Sequence, residues 1–526
     1  MNFYELNEAR RLLGDGWVLL GDKVAGLYKL FSAIQEKMAP LNAVERQRWG
    51  EILEKGLKLS EVGKGGAGLV LHLFITSFLL EVTGEERFLH EIYRAAEEAG
   101  RPLKERLFLY WQIVRRGFLD RRYLTMENDL RFWALHRSLV SAYGQLLPER
   151  LEWIPAEQRD NNRVVVITNQ YLGLQHGPTM TALDRAHALQ AELGKKVVLI
   201  NTAEMPRSLP LPFFNPLLAT FKSNLSRIDL SRFQGQAFPF YQCKDEMPNL
   251  EEMTKIIAWI REIRPAFILS IGGNNITADL CGRIVPVATL GCVNGLAVSE
   301  GRFFLPWSPL PEKEQAETVQ LGIAAERIIP CDFTFYIRPQ RKKMTRADLG
   351  IGEKAFVLAI VGGRLDEEVT PAYAEQLAFF LDRNPEAFIA FAGHFERYEK
   401  HRAAYPAFAR QTCFAGFQDD ILAFNEVCDA YLNPPRTGGG TSALEALFKG
   451  NPVFTLPAGD VAYVAGPRYH IAGFADIETF MARWRNDPAF REEERASARR
   501  RAGELTDTAR ALGGAIDAME RSFYYS

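Results

Sequence analysis

The sequence predicts an α/β architecture in which a helical segment precedes two units of alternating strands and helices. Three observations support it. Residues 1–155 place apolar side chains at helical spacing and carry few strand signals. Beyond them, runs such as Val164-Val165-Val166-Ile167-Thr168 and Phe356-Val357-Leu358-Ala359-Ile360-Val361 are almost continuously apolar, the pattern of strands buried on both faces of a parallel sheet. Each run leads into a glycine-bearing loop and then a helical pattern, the order of a βαβ unit.

Composition bounds the rest. The chain has 526 residues, a length suited to about three or four domains, and 47% apolar residues suffice for ordinary cores. With 63 basic and 65 acidic residues the formal net charge is −2, so no global field attracts nucleic acid and no such partner is expected. Cys243, Cys281, Cys292, Cys331, Cys413 and Cys428 are scattered without a Cys-x-x-Cys pair, which fits a reducing compartment and argues against a zinc ribbon or disulfide scaffold. There is no signal-peptide pattern and no apolar run of roughly 18 residues, so the expectation is a cytoplasmic protein without a transmembrane segment. The stretch Gly68 to Val82 comes nearest, but His72, Thr76 and Ser77 interrupt it and mark a buried helix.

In residues 1–155, Leu103, Leu107, Trp111 and Val114 repeat at helical spacing, as do Phe88, Ile92 and Ala95. An all-α domain is expected here, one that packs on the α/β core, recruits an acceptor or supports a homo-oligomer. Its Gly63-Lys64-Gly65-Gly66-Ala67-Gly68 lacks the Ser or Thr that a Walker loop needs after lysine, and reads as a helix connection.

The first α/β unit spans 156–345. After the strand Val164 to Thr168, a loop from Asn169 to Thr179 leads to a helix reaching Leu193 and a strand Val197 to Asn201. Loops at the carboxyl ends of such strands bind ligands, which makes His176 and Gly177 candidate site residues. An imidazole titrates near neutrality and can remove a hydroxyl proton, so His176 is the candidate catalytic base; the alternative is a loop histidine bonded to backbone or touching phosphate. Asp184 and Arg185, farther along the helix, read as structural. From Met205 to Gln242 the chain is rich in Pro, Phe and Leu with weak periodicity, and either shapes the acceptor side or forms a hydrophobic interface. The strand Phe267 to Ile271 ends in Gly272-Gly273-Asn274-Asn275, making Gly273 and Asn274 candidate substrate contacts, although Asn and Gly are also ordinary turn residues. Val285 to Thr289 continues the sheet. The cluster Arg338, Arg341, Lys342, Lys343 and Arg346 is a solvated linker or, alternatively, the rim of an anion site.

The second unit spans 346–526. Its first strand ends in Gly362-Gly363-Arg364, whose guanidinium can bind phosphate through two parallel hydrogen bonds. Strand Phe388 to Ala392 follows, then Asp419 and Asp420 at a helix start, where carboxylates cap. The most informative stretch comes next. Asp429 to Leu432 reads as a strand, Gly438-Gly439-Gly440 as a loop, Thr441 to Lys449 as a helix and Pro452 to Leu456 as the next strand. Glycines let backbone N–H groups close on a ligand, and the amides of a helix start favour an anion by about 0.3–1 kcal/mol. Thr441 and Ser442 add hydroxyls that cap the helix or hold phosphate oxygens. Glu445 shares a face with Thr441 and can accept from ribose hydroxyls. Phosphate and ribose contacts together describe a nucleotide. Asp460, beyond the following strand, is a further candidate contact.

The run Gly439-Gly440-Thr441-Ser442-Ala443-Leu444-Glu445-Ala446-Leu447-Phe448-Lys449-Gly450-Asn451-Pro452-Val453 resembles the donor-nucleotide segment of GT-B glycosyltransferases, where a Gly-rich loop precedes Leu-Glu-Ala and then Gly-x-Pro-Val. Gly363-Arg364-Leu365 and the loop before His176 are similar to other loops of that family. The resemblance implies two Rossmann-like domains facing a cleft and a nucleotide-sugar donor, most simply a uridine diphosphate sugar, held by the C-terminal domain. The acceptor would be a glycan or protein presenting a hydroxyl or amide. The resemblance puts Glu445 on the ribose, Arg364, Thr441 and Ser442 on the diphosphate, Gly416-Phe417 beside the base and an acceptor base near His176. It also implies a tail that crosses back to the first unit. Two departures stand out: Thr437 occupies the place of a glutamate frequent in retaining members, and Val369 that of a frequent lysine. No Asp-x-Asp motif is evident, so transfer without a metal, and with no cofactor beyond the donor, is expected. The alternatives are a sugar-nucleotide epimerase of the same fold and a non-catalytic module that holds a glycan or protein.

Overall fold

A computed structural model describes residues 33–34, 38, 41–60, 66–174, 176–214 and 221–526. The glycine run at 63–65 falls outside the described residues, and a helix Gly66–Thr83 begins directly after it. Together with Ala43–Ser60, Glu86–Glu97, Leu103–Leu119 and Met126–Leu146 it builds a helical layer. Phe88 and Ile92 of one helix, and Leu107 and Trp111 of the next, point inward as their spacing requires. Among the described residues no helix is long and apolar enough to cross a membrane.

The first sheet has seven strands: β1 Asp160–Thr168, β2 Lys196–Asn201, β3 Leu230–Phe233, β4 Gln236–Gln242, β5 Pro265–Ile271, β6 Val287–Leu290 and β7 Phe303–Leu305. Their order is β3-β4-β2-β1-β5-β6-β7, parallel except for the β3–β4 hairpin. Because side chains alternate across a strand, the continuous apolar run of β1 serves two cores. Val165 and Ile167 pack with the helical layer. Val164 and Val166 pack on the opposite face against the helix Gly177–His187 and the chain's last helix, Thr508–Glu520.

The second sheet has five strands: β8 Phe356–Gly362, β9 Ala387–Gly393, β10 Thr412–Phe414, β11 Ala430–Leu432 and β12 Val453–Phe454, in the order β10-β9-β8-β11-β12, with every pairing parallel. Here too alternate residues divide: Phe356, Leu358 and Ile360 face one core, Val357, Ala359 and Val361 the other.

Three sequence expectations are corrected. Part of the Pro/Phe-rich stretch is the β3–β4 hairpin, turned at Gln234 and Gly235 with positive φ; Pro239 within it hid the strand signal. The strand expected at Val285 to Thr289 starts only at Val287, since the Val285 N–H closes a turn on Cys281 O (3.1 Å). The helix expected to reach Leu193 changes to a π-helical turn at Ala188–Glu192.

The same stretch supplies the apolar interface with the helical layer. Phe214 meets Phe78 edge-on at 4.5 Å, and Phe213 meets Phe108 at 5.9 Å. Polar ties join the same two layers: His136 Nε2 lies 2.6 Å from Asp279 Oδ2, and the Tyr110 hydroxyl bonds Asn274 Oδ1. At the far end Thr508 donates to Asp184 Oδ2 (2.7 Å), while Leu512, Ile516 and Met519 enter the first-sheet core, so the tail does cross back. Phe214→Ala removes a buried aromatic from the interlayer seam, and is expected to cost about 3–5 kcal/mol. Calorimetry checks it; the transition that includes the helical layer moves to lower temperature.

Candidate functional site

A cleft of about 700 Å³ lies between the two sheets, lined from the first by His176, Gly177, Met180, Thr181 and Arg185, and from the second by Gly362 to Arg364, Phe417, Gly439 to Ser442 and Glu445. The linker contributes an aromatic floor: Trp307 stacks on Phe333 at 4.0 Å, and Phe335 and Tyr336 follow. The topology explains the convergence, since parallel strands deliver their carboxyl-end loops to one edge.

The glycine loop prepares an open helix start. Gly439 occupies the left-handed region at φ 110°, which a side chain would resist, and turns the chain into the helix Gly440–Phe448. Among the described residues no side chain caps that helix, so its first amides keep their hydrogen-bonding capacity at the cleft. Thr441 is exposed at the mouth. Ser442 is already engaged: its hydroxyl lies 3.0 Å from Gly439 O and 2.9 Å from the Tyr431 hydroxyl.

Glu445 lies on the next turn, half-buried, and its carboxylate makes no hydrogen bond among the described residues. Burial pushes it up to about 7; Arg338 opposes the shift and Asp420 adds to it. Arg364 stands opposite with its side chain 42% exposed, 3.5 Å from Glu368 Oε1 and with its guanidinium 5.4 Å over the Phe118 ring of the helical layer. Phe417 is 61% exposed and stacks on His394 at 5.5 Å, leaving one ring face for a planar ligand.

On the opposite wall His176 precedes the helix Gly177–His187, its Nδ1 3.0 Å from Thr179 Oγ1. That oxygen already accepts from Leu172 N–H (2.9 Å). When Nδ1 carries the proton and donates to Thr179, Nε2 becomes the acceptor. Burial, helped by Lys222, lowers the imidazole to about 4, so the ring is neutral at ordinary pH.

Asp460 reaches the cleft with Oδ1 accepting from Asn294 N–H (3.0 Å). Gly438 stays just behind the lining, its Cβ position 4.0 Å from Asp460 Oδ2. Gly273 and Asn274 do not line the cleft. The helical layer covers their loop: the Asn274 side chain bonds Tyr110, its N–H goes to Val298 O at 2.8 Å, and a Cβ at Gly273 would meet Val298 O at 2.9 Å. Asp420 caps the helix Ile421–Glu426 by accepting from Ala423 N–H. Arg338 and Arg341 of the basic cluster line the cleft, whereas Arg346 is bound to Asp429. Arg185 pairs with Asp184 and lies over Phe333, as a structural residue would, yet also reaches the cleft floor. Sequence reading passed over Arg436 and Glu368, a buried ion pair at 2.7 Å beneath the glycine loop. The one available signal was an arginine directly after the strand-ending Asn433-Pro434-Pro435. No group of three or more His, Cys, Asp or Glu able to hold a metal occurs among the described residues.

No protein-family profile and no curated sequence matches the chain. Among solved structures it is similar to a mutant O-GlcNAc transferase of Thermobaculum terrenum, with TM-score 0.54 and 13% identity over 99% of this chain and 96% of that one. It also aligns with WaaG, a glycosyltransferase involved in lipopolysaccharide biosynthesis, at TM-score 0.40 and 12% identity over 67% and 99% of the two chains. A putative UDP-N-acetylglucosamine 2-epimerase from Listeria monocytogenes aligns at 0.43 and 12% over 70% and 99%. At such identities the likeness is one of fold. The chain has the GT-B fold, two Rossmann-like sheets facing a cleft, preceded by a helical layer.

Burial of Glu445 has a thermodynamic signature. Its folded-state value lies above the unfolded one, so the native state holds the extra proton between about pH 4.5 and 7. Stability from this group falls as pH rises through that window. Glu445→Gln is therefore expected to match the parent at pH 4.5 and to exceed it at pH 8 by about 1–3 kcal/mol, read as the pH dependence of the ligand-free unfolding midpoint.

Proposed function

We propose that the protein transfers a sugar from a nucleotide-sugar donor, a uridine diphosphate sugar, to a hydroxyl or amide of a glycan or protein. One observation carries the reading: an uncapped helix start, an exposed arginine and a carboxylate without a hydrogen-bond partner among the described residues converge from one sheet, and a neutral histidine faces them from the other, all on a single cleft. The amides from Gly440 to Ser442 and the Arg364 guanidinium would hold the diphosphate, and Glu445 the ribose. Phe417 offers its free face to the base.

As the acceptor hydroxyl oxygen or amide nitrogen bonds to the anomeric carbon, the bond from that carbon to the diphosphate breaks. The acceptor proton passes to His176 Nε2, with Thr179 holding the ring in the required tautomer. An imidazole lowered to about 4 is a weak base, so proton transfer follows rather than precedes departure of the diphosphate. The departing charge meets donors already in place, and such preorganised electrostatic stabilisation commonly contributes more to catalysis than any other single effect. The reading needs no metal.

Binding and turnover separate these roles. Uridine diphosphate is expected to stabilise the parent chain in a thermal-shift titration and to bind at least about tenfold more weakly to the Arg364→Ala/Glu445→Ala variant, since each charged hydrogen bond contributes about 1.5–3 kcal/mol. Equal binding by the double variant, or none by the parent across uridine and other sugar-linked diphosphates, would sink the nucleotide reading. His176→Ala is expected to lower kcat by roughly 10²–10⁴-fold with diphosphate affinity kept. The acid limb of kcat/KM owed to this residue is expected near pH 4 rather than 6.5. Release of an isomerised sugar nucleotide without acceptor would instead select the epimerase.

A further inference from the structure

Arg436 lies in the loop between β11 and the Gly440–Phe448 helix, with 5% of its side chain exposed. Its guanidinium is shared among three side chains from two segments. Nε donates to Asn433 Oδ1 at 2.8 Å, Nη1 to Glu368 Oε2 at 2.7 Å and Nη2 to the Tyr431 hydroxyl at 2.5 Å. The partners carry the restraint outward. Tyr431 bonds Ser442 in the first helical turn, and Glu368 closes the short helix Leu365–Glu368 that Arg364 opens. Two glycines make room for this packing: a Cβ at Gly439 would stand 2.7 Å from the guanidinium, and one at Gly362 would stand 2.6 Å from Glu368 Oε2. Glu368 also faces Arg364 at 3.5 Å, so whatever fixes Glu368 fixes the resting place of the exposed arginine.

We infer that Arg436 is a positioning residue for the diphosphate site, joining the Gly362–Arg364 loop to the Gly439–Ser442 loop through its planar three-way hydrogen bonding. This deepens the donor reading above and rests on it for its consequence, not for its geometry. A lysine keeps the charge but cannot reach three acceptors held in one plane.

The first measurement needs no nucleotide. Arg436→Met alone strands a buried Glu368 carboxylate, so the variant to use is Arg436→Met/Glu368→Gln, which removes both charges. Hydrogen exchange on the full chain is expected to speed up at least tenfold in peptides covering 365–369 and 443–448 together, whose amides are hydrogen-bonded in the parent, as Ala443 N–H is to Gly439 O and Val369 N–H to Leu365 O; no change, or change in only one of them, overturns the coupling. If that variant does not fold, Tyr431→Phe, which deletes only the hydroxyl between Arg436 and Ser442, is read on the 443–448 peptide, with faster exchange expected and unchanged exchange overturning the inference. The second measurement is a uridine diphosphate titration of Arg436→Lys, expected to bind at least tenfold more weakly. Parent-like affinity would mean that charge alone suffices and the positioning role fails. A parent chain that binds no uridine diphosphate removes the donor reading, and the exchange result then decides the coupling by itself.

Discussion

Backbone amides at the start of a helix must find acceptors, and at Gly440 no side chain among the described residues supplies one. That constraint organises the C-terminal half. The helix is anchored by a buried apolar face, with Ala443, Leu444, Ala446 and Leu447 fully enclosed, so its polar start cannot turn away from the cleft. Glycine at 439 lets the preceding chain approach without covering those amides. A polar end is thus held open at the cleft by an apolar body.

Charge around that site is arranged in two depths. Arg436 and Glu368 are buried and committed to each other and to Tyr431 and Asn433. Arg364 stands above them, more than two-fifths exposed and shared between Glu368 and the ring of Phe118. A side chain at that depth keeps the rotamer freedom to meet a ligand, whereas a buried one would forfeit its partners. Burial keeps His176 neutral on one wall and raises Glu445 on the other, so the shifts of these two residues are set by desolvation more than by a neighbouring charge.

The helical layer is part of the α/β core rather than an appendage. One continuous apolar cluster joins Phe78, Phe108 and Leu139 to Val165, Ile167 and Ile268. This packing also covers the β5 loop, where the Tyr110 hydroxyl engages the half-buried Asn274 side chain. Through Phe118 the same layer touches the Arg364 guanidinium, and the two line a smaller pocket beside the cleft.

Much of this was written in local pattern. Doubly apolar runs marked β1, β5, β8 and β9 because strands buried on both faces need no alternation, and Gly438 to Glu445 marked a glycine loop running into a helix, which the structure sets at the cleft. Tertiary structure alone decided the rest. The β3–β4 hairpin and the short β7 lacked a periodic signal, and Asn274 differed in no local way from an Asn that lines a site. Arg436 could be recognised only once Tyr431, Asn433 and Glu368 were seen around it, since burial and partnership are properties of the folded surroundings and not of the residue. The chain's own order determined which loops exist and what they carry. Which of them share one cleft followed from parallel strands ending at a common edge and from the helical layer closing over one of those ends.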